Sequence, residues 1–168
     1  TNANWFYINN VKVEYIGSKE QYMNALSSMK ASENAYIDYS FLISNSLGVE
    51  TDLPNWEKNG GGGFSENQGT VHSDLFGSFA TCYWNAAPLL DSEVIYQDIK
   101  NLPAGEYKFS AIVAATIWGN DNVSASDVYL FAGENTVDIA TADFALREVT
   151  AHVGEDGNLR IGIRTGAH

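Results

Sequence analysis

Trp118, followed at once by Gly119-Asn120-Asp121-Asn122 and a little later by Asp127, is the stretch of this sequence best equipped for chemistry. An exposed indole stacks on the apolar face of a pyranose, and amide and carboxylate groups meet its hydroxyls. In the run before it, Tyr107, Phe109, Ala111, Val113, Ala115 and Ile117 alternate with Lys108, Ser110 and Thr116. Period two therefore sets Trp118 on the polar side with Lys108 and Ser110, with the tetrapeptide after it read as a polar loop. The plainer reading is a tryptophan folded over a sheet edge. Trp84 runs into Asn85 at an expected strand end and serves either as a second stacking ring or as packing. Trp56, close after Pro54, reads as a loop anchor, and Trp5 as core. His72 and Asp74 stand two apart on one expected strand, facing a groove together or forming an ordinary surface pair. Asn120, Asp121, Asn122 and Asp127 are also the oxygen donors that calcium prefers, although their spacing matches no specific calcium loop.

Other chemistry finds less support. Gly60 to Gly63 lacks the Lys-Ser/Thr ending and strand-to-helix context of a phosphate loop and reads as a flexible linker. Cys82 is the only cysteine, which rules out an intrachain disulfide, and no histidine lies near it in sequence. With 21 acidic residues, a carboxylate pair at glycosidase spacing can always be drawn, so that pattern discriminates nothing. No nucleophile, base and orienting group converge, and no enzyme is expected. The formal charge of −12 repels phosphate backbones and anionic membrane surfaces, so nucleic acid is a poor partner. No apolar run approaches the roughly 20 residues that span a bilayer, which argues against membrane insertion.

The elements that must hold these residues are strands. Runs of period two rich in Val, Ile, Tyr and Phe, broken by Gly, Asn and Asp, predict antiparallel strands near 70–76, 78–84, 93–100, 106–118, 127–133, 136–140, 146–153 and 158–164. In the last of these, Leu159, Ile161 and Ile163 alternate with Arg160 and Arg164. At the start, Trp5, Tyr7, Val11, Val13 and Tyr15 share a face opposite Lys12 and Glu14. A helix follows near 18–33: Ser18 and Gln21 form its cap, while Tyr22, Leu26 and Met29 make an apolar stripe expected to lie against the sandwich. From Tyr39 to Trp56 the chain reads as irregular, and the glycine run prolongs the loop. These elements imply an all-β antiparallel sandwich in a single domain, 1–168, with a closing strand at 1–17, a helix at 18–34 and the main sandwich at 35–168.

Within that pattern, Tyr83-Trp84-Asn85, Tyr96-Gln97-Asp98-Ile99 and Asn101-Leu102-Pro103-Ala104-Gly105-Glu106-Tyr107-Lys108-Phe109 resemble the galactose-binding-like jelly-roll domains of Bacteroidetes surface and secreted proteins. The Leu-Pro-Ala-Gly-Glu-Tyr turn is the most specific part: Pro presets φ, Gly supplies a positive φ and Tyr restarts a buried strand. Ile37 to Asn45 followed by Leu53-Pro54-Asn55-Trp56 resembles the opening of such domains, a first strand running into a loop that ends at tryptophan. The resemblance covers about residues 37–164 and implies a jelly roll. Many domains of this type carry a structural calcium, which the resemblance places near Asn45, Glu50 and Asn9; Asn9 is neutral where the family has aspartate.

The family's closing strand is matched by Trp5-Phe6-Tyr7-Ile8-Asn9-Asn10-Val11-Lys12-Val13, at the opposite end of the chain from its usual place. Circular permutation, the tail of a preceding tandem domain, or donation to a neighbouring chain would each explain this. Completion of the sandwich of residues 37–164 by the same chain is the favoured arrangement, because an open edge exposes core and invites aggregation. Two functions follow. The first is a non-catalytic carbohydrate-binding module of an extracellular or cell-surface protein, holding a glycan or polysaccharide through Trp118, Trp84, Asn120, Asp121, Asn122 and His72. The second is a structural or adhesive repeat, joined to neighbouring domains or polymerised through its N-terminal strand.

Overall fold

Strand alternation carries through to three dimensions in the computed structural model, which describes residues 18, 20, 24, 28–29, 36–44, 55–59, 63–68, 79–84, 89–117 and 120–167. The chain divides into two compact units, Thr1–Asp38 and Tyr39–His168. Among the described residues of the first, Glu20, Asn24 and Ser28 are helical and exposed, the i, i+4, i+8 spacing of a polar helix face. Met29, assigned from sequence to the apolar stripe, is instead 58% exposed and stands outside the helix. The expected strand over 1–17 lies outside the described residues.

The second unit is antiparallel β throughout. Its strands are β1 (Glu57–Lys58), β2 (Gly63–Gln68), β3 (Phe79–Trp84), β4 (Glu93–Ile99), β5 (Gly105–Val113), β6 (Thr116–Ile117), β7 (Asn120–Ser124), β8 (Val128–Ala132), β9 (Asn135–Asp138), β10 (Ala145–Val153) and β11 (Leu159–Thr165). One sheet has the order β1-β4-β11-β8-β9, and β10 pairs with β5 residue for residue from Ala145↔Val113 to Val153↔Gly105. Two further hairpins are β2–β3 and β6–β7. No helix among the described residues is long and apolar enough to cross a membrane.

The core lies between the five-stranded sheet and the β5–β10 pair. Ile99, Leu130, Ala132, Leu159 and Ile161 from the first meet Val149, Ala151 and Val153 from the second, with Tyr107, Phe109, Ala111 and Val113 of β5 packed on them. Leu130, Ile161 and Val153 are almost wholly buried. Each such side chain contributes about 1.5–3 kcal/mol through removal from water. The outward positions Lys108, Ser110, Glu148, Thr150 and His152 are exposed, as period two requires. Lys108 and Glu148 pair across that face at 2.7 Å.

The turn entering β5 is built as its residues dictate. Asn101 takes φ 63 and Gly105 φ 155, the Leu102 amide donates to Gly157 O at 3.0 Å, and the Tyr107 hydroxyl donates to Pro103 O at 2.8 Å. Burial, and then the neighbouring Tyr39, push the Tyr107 hydroxyl up to about 12, so it stays a donor. The hydroxyl thereby locks the turn whose sequence Pro and Gly preset.

Several expectations change. The first strand implied over 37–45 is replaced by a 3₁₀ turn at Ser40–Leu42. There the Leu42 amide donates to Tyr39 O and the Ile43 amide to Ser40 O, the i to i+3 bonds of a 3₁₀ turn, and the Phe41 ring stacks on Tyr39 with centroids 5.9 Å apart. Gly63, read as the end of a linker, begins β2 and pairs with Trp84. Asn120-Asp121-Asn122, read as a polar loop, belongs to β7. The single run over 106–118 is divided into β5 and β6 because the Ala115 amide turns to Thr141 O and its carbonyl accepts from Ala125. The expected strand near 70–76 lies outside the described residues.

Gly162 sits in mid-sheet, paired with Tyr96 on one side and Phe131 on the other. A Cβ there would overlap the Ile95 carbonyl and stand 2.8 Å from Tyr96 Cα, both backbone groups that cannot swing aside. Gly162→Ala is therefore expected to cost about 2–4 kcal/mol by overpacking. In a chain of this size that lowers the thermal midpoint by roughly 5–15 °C. Differential scanning calorimetry checks it, and an unshifted midpoint would contradict the close approach of β11 to β4.

Candidate functional site

Of the residues that the sequence singles out, His72, Trp118, Asn45, Glu50 and Asn9 lie outside the described residues. Trp84 is the last residue of β3, opposite Gly63, and Asn120 to Asn122 open β7, where Asn120 pairs with Ile117. Trp118 and Gly119 are thus the two residues of sequence between the paired Ile117 and Asn120. Among the described residues, no group of three or more His, Cys, Asp and Glu is placed to hold a metal ion. Asp127, grouped from sequence with the oxygen donors near Trp118, accepts the Tyr129 hydroxyl at 2.9 Å. Trp56 is the loop anchor expected of it: half-buried against the core cluster, its indole N–H donates to Ser44 O at 2.7 Å.

That bond belongs to a polar cluster that joins Ser44 to Asn55 and Trp56. Gln97 is 5% exposed, the only buried polar residue among those described. Its Oε1 accepts the Ser44 amide at 2.9 Å and its Nε2 donates to Asn55 O at 3.0 Å. Asn55 has φ 65, and its side-chain amide donates to Ser44 Oγ at 3.4 Å. Both functional ends of one buried amide are therefore satisfied, by Ser44 and by Asn55, as a polar group taken out of water requires. Ser44 and Asn55 are thereby tied to the middle of β4.

The second polar assembly covers the outer face of the five-stranded sheet. Arg160 donates from Nε and Nη2 to the two carboxylate oxygens of Asp98 at 2.7 and 3.0 Å, and from Nη1 to Glu93 Oε2 at 3.0 Å. Its guanidinium also lies 4.1 Å over the centre of the Tyr96 ring. A planar fork suits all three contacts at once, which an ammonium could not match. The Arg160 hydrogen bond, outweighing a small desolvation effect, holds the Asp98 carboxyl below its ordinary value of 3.8. In return, Asp98 raises the guanidinium further. One strand pair along, Arg164 stands 5.8 Å over Phe131.

Sequence reasoning placed Arg160 and Arg164 outward but assigned them no role. It also passed over Gln97, although a polar residue standing between Ile95 and Ile99 on an apolar face is a visible signal. No protein-family model, no curated protein and no solved structure matches this chain. Function is therefore argued from geometry and sequence alone.

Replacing Gln97 by leucine keeps the volume but leaves the Ser44 amide and Asn55 carbonyl without partners. The expected cost is about 2–4 kcal/mol, with protease cleavage inside 45–54 rising roughly tenfold. Cleavage at the wild-type rate would mean that Ser44 and Asn55 are held together by something else. For Asp98 the sign is set by its lowered value: its contribution is complete above the unfolded pKa of about 3.9 and is lost as pH falls through the folded value. Because the pair is partly exposed, Asp98→Asn is expected to cost only about 0.5–1 kcal/mol at neutral pH. Urea unfolding should show that difference shrink as pH falls below the carboxyl's ordinary value of 3.8.

Proposed function

We propose that this chain is a non-catalytic carbohydrate-binding module of an extracellular protein. The supporting observation is the β6–β7 hairpin. Ile117 pairs with Asn120, so Trp118 and Gly119 join the two strands, and the polar Asn120-Asp121-Asn122 follows at once on β7. A stacking ring next to amide and carboxylate groups is the composition that a sugar requires, since the ring takes the C–H face and the polar groups take the hydroxyls. An antiparallel sandwich suits the task because its strands hold short connecting segments on a rigid frame. The galactose-binding-like resemblance of residues 37–164 points the same way. The charge of −12 favours uncharged glycans over polyanions.

Affinity electrophoresis in gels containing neutral polysaccharides tests the reading. Wild type should be retarded by at least one of them, and Trp118→Ala should bind about tenfold more weakly with an unchanged thermal midpoint. Mobility unaffected by every polysaccharide would sink the proposal, and so would full retention of binding by the alanine variant.

A further inference from the structure

We infer that Asn59 is a deamidation site, converted without an enzyme to aspartate and isoaspartate by attack of the next residue's backbone nitrogen on its side-chain amide. Asn59 is the one asparagine of the sequence followed by glycine, and it stands directly before the run Gly60 to Gly63. Ring closure brings the backbone nitrogen of the following residue onto the asparagine Cγ, and a side chain on that residue obstructs it. Glycine has none and restricts the backbone least. The peptide bond itself holds the attacking nitrogen beside Asn59.

The fold gives Asn59 a task that the conversion ends. Asn59 is exposed and directly follows β1, the outermost strand in the order β1-β4-β11-β8-β9. Its backbone amide donates to Val94 O at 3.0 Å and its Nδ2 donates to Glu93 O at 2.8 Å. Asn59 thus extends the pairing of Glu57 with Tyr96 and Lys58 with Ile95 by one residue. A strand of two exposed residues frays readily, because little apolar burial holds it. The reaction passes through that fraying: Nδ2 leaves Glu93 O before Cγ turns to the Gly60 nitrogen. The folded chain therefore reacts more slowly than the same segment unfolded.

Each step balances. The Gly60 nitrogen bonds to Cγ and gives up its proton, the bond from Cγ to Nδ2 breaks with ammonia as the leaving group, and a succinimide ring remains. Water then opens the ring. Cleavage at Cγ leaves aspartate, whereas cleavage at the backbone carbonyl leaves isoaspartate, with the chain running on through Cγ and longer by a methylene. Base speeds the attack because it removes the amide proton. In both products Nδ2 is gone, so Glu93 O loses its donor, and a carboxylate that only accepts joins a chain already at −12. The side-chain tie between the end of β1 and the start of β4 is cut.

Peptide mapping by mass spectrometry follows the full chain during incubation at neutral and at mildly alkaline pH, with and without urea. The wild-type peptide containing Asn59 should gain the mass difference between amide and acid and split into two products, one of them labelled by an isoaspartyl methyltransferase. Conversion should be faster at the higher pH and faster in urea. Gly60→Val should suppress it, because a β-branched side chain obstructs ring closure. Should that variant fold poorly, the rates in urea, where neither chain is folded, carry the comparison. Asn59→Asp, which mimics one product, should exchange the backbone amide proton of residue 59 about fivefold faster, the effect of one neutral hydrogen bond. An Asn59 peptide that ages no faster than those of the other asparagines would overturn the site. Equal rates with and without urea would overturn the protection by Glu93 O, and unchanged exchange in Asn59→Asp would overturn the loosening of β1.

Discussion

The apolar contact between the five-stranded sheet and the β5–β10 pair is the constraint on which the rest of this structure depends. Leu130, Ala132 and Ile161 from one side and Val149, Ala151 and Val153 from the other must interdigitate. Side chains alternate along every strand, so burying these fixes what each intervening residue does. Arg160 and Arg164 face outward because Leu159, Ile161 and Ile163 face inward; Lys108 and Glu148 meet across β5 and β10 because Phe109 and Val149 are core. Slipping any of these strands by one residue would bury charge and expose the core together, an error of several kcal/mol per strand.

Where a polar residue stands on the inner side, the fold has to provide for it. Gln97 faces inward with Ile95 and Ile99, and its amide cannot be left unbonded. The Ser44 amide and the Asn55 carbonyl satisfy it, so the burial that orders the core also brings together two residues eleven apart in the chain. Bringing such residues together costs entropy that grows only slowly with their separation, and two hydrogen bonds plus the Trp56 indole offset it at a single point. The core and these two residues are coupled through one side chain.

Much of this architecture was legible in the sequence, and the gaps have physical causes. β4, β5, β8, β10 and β11 declare themselves by apolar residues at period two, and the Leu-Pro-Ala-Gly-Glu-Tyr turn by residues whose φ values admit little else. β2, reading Gly-Phe-Ser-Glu-Asn-Gln, and β7, reading Asn-Asp-Asn-Val-Ser, carry turn-forming residues without alternation. Pairing partners supplied by tertiary context override such weak local preferences. The sheet order β1-β4-β11-β8-β9 was out of reach because it joins strands far apart in the chain. For the same reason Arg160 could be placed outward but not partnered: Asp98 and Glu93 lie 62 and 67 residues before it. Residues chosen for sugar stacking came from composition and alternation, whereas the partners of Gln97, Ser44 and Asn55, emerge only when distant parts of the chain are laid side by side.

The use made of arginine ties the electrostatics to the sheet. This acidic chain has nine cationic side chains against 21 carboxylates, and its three arginines all lie on β10 and β11. Arg147 donates to the backbone oxygens of Asp138 and Leu146, joining β10 to β9 across the sandwich corner. Arg160 saturates its fork on Asp98 and Glu93 while lying over Tyr96, which removes Glu93 Oε2 from the reach of Arg164. Two arginines therefore join strand to strand through hydrogen bonds, and the third, Arg164, lies with its guanidinium over the buried ring of Phe131 on the neighbouring strand, a contact between a cation and an aromatic face that a carboxylate partner is not needed to hold.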